Sequence, residues 1–348
     1  MKHPFFGQDR PVLIAGPCAA ESEEMLWVSA RALKAGGRVG LFRCGSWKVR
    51  SKPDAFEGMG EASLPVLQRI QKELHFPVCI EVATPRQLEL ALAYGIRCCW
   101  IGARTLVNPL HVAEIAEAMR GSGMAVMVKN PMVPDLKLWE GAFERLYKSG
   151  LSDVAAVYRG FSTAESAPYR NQPLWHLAIE WKRRFPELPF ICDPSHIAGR
   201  REWIAELAQK ALYLDADGLM LEVHPQPEEA LSDAAQQLSP EAFSRLLERL
   251  KFPQSPAIAG TLDACRTAID ELDAELLALL SRRMDVSRRI ARVKKEQQLP
   301  LLQLDRWQEV LSDALRRSAA LQLDADFVER LMNLIHEASI NAQEKEME

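Results

Sequence analysis

Eight short apolar runs in the first two thirds of the chain constrain its fold more than any other feature. Each run but the last is separated from the next by a segment long enough for a helix, such as the one that carries Leu64, Leu67 and Ile70. The runs are Val12 to Ala15, Val39 to Arg43, Val78 to Val82, Cys98 to Gly102, Ala125 to Lys129, Val154 to Tyr158, Phe190 to Asp193 and Leu219 to Val223. Eight βα repeats within about 250 residues predict a TIM (β/α)8 barrel over residues 1–250.

The pattern changes after residue 250. The segment KFPQSPAIAG, residues 251–260, combines two prolines, a serine and a glycine, which is typical of a linker. From Thr261 onward the apolar spacing predicts three helices: one ending near Leu299, a second from Asp305 to Ala319, and a third that begins after Asp324 as its N-cap. Because two shorter helices cannot bury a first helix of more than about 30 residues, we expect an all-α domain, residues 261–348, that packs against a second copy of the chain.

Charge and hydropathy exclude several partners. A formal charge of −4 gives no electrostatic case for binding nucleic acid or an anionic membrane. No run approaches the ~18 apolar residues of a membrane span, and MKHPFFGQDRP lacks the apolar core of a signal peptide. We therefore expect a cytoplasmic protein without nucleic-acid or membrane partners.

The seven scattered cysteines form no CxxC pair and predict no disulfide framework. Cys18 differs from the others because it lies in AGPCAAES, just past an apolar run.

Cationic side chains gather just past the predicted strand ends. In a TIM barrel the carboxyl ends of all eight strands face the active site, so these side chains should converge on one rim. They are Arg43, Lys48, Arg50, Arg104, Lys129 and Arg159. Arginine offers a bidentate fork and lysine a point charge, so the set favours substrates with several anionic groups. For any single member, a solvated rim charge is the alternative.

A thiol, an imidazole and two carboxylates also follow strand ends: Cys18, His196, Glu222 and Asp233. This mixed donor set suits a divalent transition metal better than Mg²⁺ or Ca²⁺. The alternatives are a buried cysteine, a histidine that only supports other groups, and carboxylates paired with the rim arginines. His224 is a competing imidazole, because on an alternating strand it lies on the same side as Glu222.

Seven segments carry a family resemblance: AGPCAAES, FRCGSWKVRS, WIGARTL, VKNP, VYRGFST, ICDPSH and LEVHPQPEEALSD. Over residues 10–250 they resemble the 3-deoxy-D-arabino-heptulosonate 7-phosphate (DAHP) synthases, in the compact subfamily related to the 3-deoxy-octulosonate 8-phosphate synthases. The resemblance implies a divalent metal on Cys18, His196, Glu222 and Asp233, with Mn²⁺ expected and Fe²⁺, Co²⁺ or Zn²⁺ as alternatives. It further implies that phosphoenolpyruvate is held by Arg43, Lys48, Arg104, Lys129 and Arg159, and the phosphate of erythrose 4-phosphate by Arg50 and Ser51.

The implied reaction joins phosphoenolpyruvate to erythrose 4-phosphate and water, giving DAHP and phosphate. Lys48 is the expected proton donor to the aldehyde oxygen, with a pKa lowered by burial among arginines. Asp193 is expected as a second catalytic carboxylate near the metal and the aldose. The family's Lys-Pro-Arg-Thr or Ser is here Lys48 to Ser51 with Val49 in place of proline, whereas the octulosonate enzymes show an Ala-Asn-Arg type of sequence. That comparison favours DAHP synthase over the octulosonate synthase, which is the weaker alternative.

The C-terminal helices carry a second set of polar residues. Arg283 and Lys294 are 11 residues apart, which places them within about 20° of one helix face and about 16 Å along the axis. Arg266 lies about 25 Å before Arg283 and about 100° round, so it would reach the same small ligand only from an antiparallel second copy. Ser339 and Gln343 share a face of the third helix at i and i+4. Surface charge on an amphipathic helix is the alternative.

These positions resemble the all-helical chorismate mutases through LDACRTAIDELDAELLALLSRRMDVSRRIARVKK, LDRW and HEASINAQ, over residues 261–345. The resemblance implies a cofactor-free rearrangement of chorismate to prephenate on Arg266 of the partner copy, Arg283, Lys294, Arg306, Ser339 and Gln343. Gln303 and Trp307 stand where the family commonly has carboxylates. The alternative is therefore a noncatalytic module for dimerisation and prephenate sensing. In either case we expect prephenate to inhibit the synthase.

Overall fold

The first part of the chain is a closed barrel of eight parallel strands. The computed structural model describes residues 6, 11–48, 55–163, 168–252 and 260–347, and the chain divides into two compact units, 1–254 and 255–348. In sequence order the strands are β1 (Val12–Gly16), β2 (Leu41–Cys44), β3 (Val78–Val82), β4 (Cys98–Ile101), β5 (Ala125–Lys129), β6 (Val154–Tyr158), β7 (Phe190–Cys192) and β8 (Gly218–Glu222). The predicted TIM barrel is confirmed, and every predicted strand run agrees with the observed strand to within two residues at each end.

Strand register explains how the barrel closes. β1 pairs with β2 on one side and with β8 on the other, so that Ile14 lies opposite Met220 and Gly16 opposite Glu222. Alternate side chains point inward, where Ile14, Trp100, Met220 and their neighbours form a packed interior core. Gly16 is required where β1 passes β2, because a Cβ at this residue would lie 2.1 Å from the Arg43 carbonyl oxygen.

Helices cover the outside of the barrel, and their apolar faces join the outer faces of the strands in a second core. They are α1 (Glu23–Ala35), α2 (Leu64–Leu74), α3 (Pro85–Ala93), α4 (Ala103–Leu106), α5 (Pro109–Ala118), α6 (Leu136–Lys148), α7 (Trp175–Arg184), α8 (Pro194–Ala198), α9 (Ile204–Tyr213) and α10 (Pro240–Arg249). The short helix α8 directly follows β7 and is capped by Asp193, whose carboxylate accepts from the backbone N–H of His196 at 3.1 Å. This cap fixes the turn that presents both residues at the carboxyl rim.

The second unit consists of three helices, α11 (Gly260–Glu296), α12 (Leu304–Ala320) and α13 (Ala325–Met347), and both α11 and α12 pack on α13. The predicted N-cap is present, since the Asp324 carboxylate accepts from the backbone N–H of Phe327 at 2.8 Å. Along α11 the apolar side chains Ile269, Leu272 and Leu277 are each more than half exposed within one copy of the chain. Among the described helices, none has the length and apolar composition needed to cross a membrane.

Candidate active sites

The ends of β1, β7 and β8 bring the predicted metal ligands together. The ligand atoms of Cys18, Glu222 and Asp233 all lie within 4.8 Å of one another. The Cys18 thiol donates to Asp233 Oδ2 at 3.3 Å, and His196 Nε2 lies 3.6 Å from Glu222 Oε1. The competing His224 points elsewhere: its Nδ1 accepts from a backbone N–H, and its Nε2 lies 3.4 Å from Glu21 Oε2. The geometry therefore groups three of the four residues that the resemblance implies as ligands, and places His196 next to Glu222.

The charge state of this cluster suits a bound cation. Burial and the nearby Glu222 raise the pKa of the Cys18 thiol to about 12. Burial also opposes ionisation of Glu222, but His196 and Arg43 lower the pKa of its carboxyl below the ordinary value. A divalent cation would offset the two carboxylates and displace the thiol proton. Sulfur, nitrogen and carboxylate oxygen together fit a divalent transition metal, so the described residues match the group that the resemblance implies.

Asp193 lies beside the His196 imidazole, on the Nδ1 side of the ring. Its Oδ2 lies 2.8 Å from His196 Nδ1 and accepts from Lys129 Nζ at 2.8 Å. Although burial favours the neutral acid, His196 and Lys129 lower the pKa of Asp193 well below its ordinary value. The carboxylate lies against Nδ1 without an aligned hydrogen bond, and Nε2 on the other side of the ring faces Glu222. The geometry adds a positioning role for Asp193 to the catalytic role expected from the sequence.

Three of the predicted cations are buried inside the rim: Arg43, Lys129 and Arg159. Arg43 is fully buried, donates to Glu222 Oε1 at 3.0 Å and lies 5.0 Å from the centre of the Trp100 ring. Its Nε and Nη1 have no hydrogen-bond partner among the described residues. Burial, together with the nearby Arg170 and Arg104, lowers the pKa of Arg159 to about 10. The two unpaired guanidinium nitrogens of the buried Arg43 favour an anionic ligand. Arg104 itself is exposed at α4. Arg50 and Ser51, which the resemblance assigns to the aldose phosphate, lie outside the described residues.

Lys48 does not have the lowered pKa expected from the sequence. Its Nζ lies 3.9 Å from Glu81 Oε2. Burial alone would lower the pKa of Lys48, but Cys18, Glu81 and Glu222 outweigh it and raise the pKa above the ordinary value. The prediction is therefore wrong, because anionic neighbours dominate over arginines. In the barrel, burial instead lowers the pKa of Lys129.

Three further residues contact the cluster of candidate metal ligands and were missed in the sequence. Gln236 Nε2 donates to Glu222 Oε2 at 2.7 Å, and Gln237 Oε1 accepts from the backbone N–H of Cys18 at 3.0 Å. Arg170 Nη1 donates to Asp233 Oδ1 at 3.1 Å and to Gln236 Oε1 at 2.9 Å. The two glutamines follow Asp233 in the same loop, which is a weak sequence signal. Nothing in the sequence indicates Arg170, which comes from the loop after β6.

In the helical unit, four of the six predicted residues lie together between α11 and α13. Arg283 donates to the Ser339 hydroxyl, and Lys294 Nζ donates to Gln343 Oε1 at 3.3 Å. Lys294, Ser339 and Gln343 are buried, and burial lowers the pKa of both Arg283 and Lys294. The arrangement presents two cations, a hydroxyl and an amide from facing helices.

The other two predicted residues are not brought to this group within one copy. Arg266 is exposed and pairs with Asp263 at 3.1 Å, and Arg306 is exposed and pairs with Glu309 at 2.9 Å. Each pair lies on a single helix and connects to no other part of the described site. The expectation that Arg266 serves a second copy of the chain therefore stays a prediction.

An aromatic pair borders the four clustered residues. The indole of Trp307 stacks on the imidazole of His336, with ring centres 4.0 Å apart and planes 15° from parallel. His336 was not identified in the sequence, although it lies three residues before Ser339 on the same helix. Gln303 begins α12 without a side-chain capping bond. The two positions that depart from the mutase pattern therefore differ in structure. The Trp307 side chain stacks on His336, whereas the Gln303 side chain makes no capping hydrogen bond.

Comparison with known proteins confirms both resemblances. Residues 2–253 match the family model described as DAHP synthetase I family, and residues 265–344 match chorismate mutase type II. The phospho-2-dehydro-3-deoxyheptonate aldolase of Thermotoga maritima is 31% identical over 69% of this chain and 68% of its own. The 2-dehydro-3-deoxyphosphooctonate aldolase of an Azoarcus species is 29% identical over 76% of this chain and 93% of its own.

Solved structures agree with these matches. The crystal structure of DAHP synthase from Thermotoga maritima superposes with a TM-score of 0.62 at 31% identity, covering 68% of this chain and 67% of that chain. A truncated form of the synthase from the same organism superposes with a TM-score of 0.59 at 29% identity, covering 68% of this chain and 84% of that chain. The chain belongs to the DAHP synthetase I family and carries a chorismate mutase type II domain after its barrel.

Proposed function

We propose that the barrel, residues 1–250, condenses phosphoenolpyruvate with D-erythrose 4-phosphate and water to DAHP and phosphate. C3 of phosphoenolpyruvate bonds to the aldehyde carbon, water adds at C2, and the C2–O bond to phosphate breaks. The observation that supports this most is the buried Arg43 donating to Glu222 of the metal cluster, because it joins the anion-binding ring to the cluster. Family membership supports the same reaction.

The chain's own residues would bind and protonate the reactants. Arg43, Lys129 and Arg159 are buried cations that would hold the carboxylate and phosphate of phosphoenolpyruvate, with Arg104 at the exposed edge. As the new bond forms, the aldehyde oxygen becomes an alkoxide and takes a proton from Lys48 Nζ. The raised pKa of Lys48 keeps this donor charged at neutral pH, where it offsets the developing negative charge.

The metal-binding residues act beside this ring. Cys18, His196, Glu222 and Asp233 would hold the divalent ion, for which Mn²⁺ is expected and Fe²⁺, Co²⁺ and Zn²⁺ are alternatives. When bound, the ion would supply Lewis-acid polarisation of the aldehyde oxygen. Arg170 and Gln236 keep the carboxylates of Asp233 and Glu222 in place through their hydrogen bonds.

The length of the aldose phosphate separates the two candidate synthase activities. Phosphoenolpyruvate contributes three carbons, so the heptulosonate needs a four-carbon aldose phosphate and the octulosonate a five-carbon one. We expect kcat/KM for erythrose 4-phosphate to exceed that for the five-carbon analogue by at least about 100-fold. Phosphate release measured with each aldose tests this, and a preference for five carbons would make the barrel an octulosonate synthase. The sequence Lys48 to Ser51 supports the four-carbon aldose.

We propose that the helical domain, residues 261–348, rearranges chorismate to prephenate without a cofactor. Arg283 and the exposed Arg266 of a second copy would clamp the two carboxylates, while Lys294 and Gln343 donate to the ether oxygen as its bond breaks. The apolar residues exposed along α11, including Ile269 and Leu272, support an antiparallel second copy as the cover. A noncatalytic sensing module is the second candidate, favoured by Gln303 and Trp307 in place of carboxylates.

Prephenate is expected to inhibit the synthase of the full-length chain about tenfold at saturation, which corresponds to an ordinary coupling free energy between two sites. We expect a ligand of the helical domain to act on the barrel through the covalent connection that the segment 251–260 provides. Titration of prephenate into the condensation assay should therefore show inhibition in the intact chain and none after cleavage in that segment. The cleaved protein must keep both activities as its control, and an unchanged rate in the intact chain refutes the prediction.

A further inference from the structure

The stacked pair Trp307 and His336 adds a polar group to the mutase site. His336, Ser339 and Gln343 follow one another at i, i+3 and i+7, so they share one face of α13. Arg283 on α11 contacts Ser339 on this face, and Lys294 contacts Gln343. His336 therefore continues the row of residues that the site already uses.

The His336 ring has an unused nitrogen. Its Nε2 is buried and has no hydrogen-bond partner among the described residues. Leaving such a group unpaired is unfavourable, so a hydrogen-bond partner supplied by a ligand would stabilise the complex. Burial, with Arg283 and Lys294 nearby, lowers the pKa of His336, which keeps the imidazole neutral beside two cations. The stacked indole of Trp307 fixes the plane of the ring.

We propose that His336 is a further catalytic residue of the mutase site, whose Nε2 hydrogen-bonds the ring hydroxyl of chorismate while Trp307 holds the imidazole in place. This proposal rests on the mutase function proposed above. In that function, the arginines bind the two carboxylates of the substrate, and the lysine and glutamine bind its ether oxygen. In the mutases that the domain resembles, carboxylates at these two positions contact the ring hydroxyl, and Gln303 and Trp307 supply no carboxylate to it here. A hydroxyl both donates and accepts, so it pairs with either tautomer of a neutral imidazole.

Two variants of the full-length chain separate the hydrogen bond from the ring stack. His336→Phe keeps an aromatic ring for Trp307 and removes the nitrogen, whereas His336→Gln removes the ring and keeps a hydrogen-bonding group. We expect kcat/KM for chorismate to fall about 10- to 100-fold in His336→Phe, the range for one unpaired hydrogen-bonding group, and to recover in part in His336→Gln. With a chorismate analogue that lacks the ring hydroxyl, wild type and His336→Phe should agree within about threefold.

The analogue distinguishes a direct contact between His336 and the ring hydroxyl from a purely structural role of His336. If His336→Phe loses the same factor on chorismate and on the analogue, or loses nothing on chorismate, the proposal is wrong. Calorimetric binding of prephenate, which keeps the ring hydroxyl, gives a readout that needs no turnover. If the wild type binds prephenate but does not convert chorismate, the mutase function fails. In that case, binding about tenfold weaker in His336→Phe would still support the contact, and equal binding would overturn it.

Discussion

Replacement of Cys18 by alanine is expected to lower the rate of DAHP formation by about 1000-fold or more, because one of the proposed metal ligands is lost and metal catalysis contributes several kcal/mol. Cys18 is fully buried, and its thiol lies in the same cluster as Glu222 and Asp233. Its backbone N–H, which donates to Gln237, is unchanged by the substitution. The loop should therefore keep its conformation while the site loses its sulfur donor. Steady-state phosphate release measures the effect.

Cys99 provides the matched control. It is also fully buried but lies on β4 within the outer apolar core. Cys99→Ala removes the same volume and should leave the synthase rate within about threefold of wild type, since it creates only a small cavity. A chelator should reproduce the Cys18→Ala loss in the wild type, and added Mn²⁺ should reverse it. Normal condensation after metal removal, or in Cys18→Ala with its metal stripped, would exclude the proposed role.

The barrel and the position of its site could be predicted because both depend on a repeated pattern. Each of the eight apolar runs forms a strand, and the carboxyl ends of the parallel strands in a barrel share one rim. Cys18 and Glu222 could thus be placed together although they are 204 residues apart in sequence, and the structure gives β1 and β8 as neighbours. The order of the strands around the barrel brings the two residues together, although they are far apart in sequence.

Charge states could not be predicted in the same way. The pKa of Lys48 depends on which neighbour is close, and Glu81 and Cys18 reach it from other strands. Arg170 comes from a loop whose path no periodicity describes, yet it holds Asp233. In the helical unit, helix geometry placed Arg283 and Lys294 on one face, but the stack of Trp307 on His336 joins two helices and appears only once they pack. The sequence pattern does not predict which side chains from different helices, strands and loops contact one another.

Lys294→Met is expected to lower chorismate turnover by about 100- to 1000-fold, the usual effect of removing one donor to a charge that develops in the transition state. The ammonium of Lys294 is buried and contacts Gln343, so no solvent cation can replace it. Methionine keeps most of the side-chain length and apolar volume, so the packing between α11 and α13 should be kept. Loss of chorismate, followed with purified full-length protein, gives kcat and KM.

Lys295→Met is the matched control, because this lysine is the next residue of α11 but is exposed and donates to the Glu346 carbonyl oxygen at 3.3 Å. It should keep turnover within about twofold, since an isolated surface charge contributes little. DAHP formation without prephenate should be normal in both variants, which shows that the chain is folded. Equal turnover in Lys294→Met and Lys295→Met would show that Lys294 takes no part in the reaction. If wild type and both variants lack turnover while only Lys294→Met fails to bind prephenate, the helical domain is a sensor, because the same buried cation would then serve binding alone.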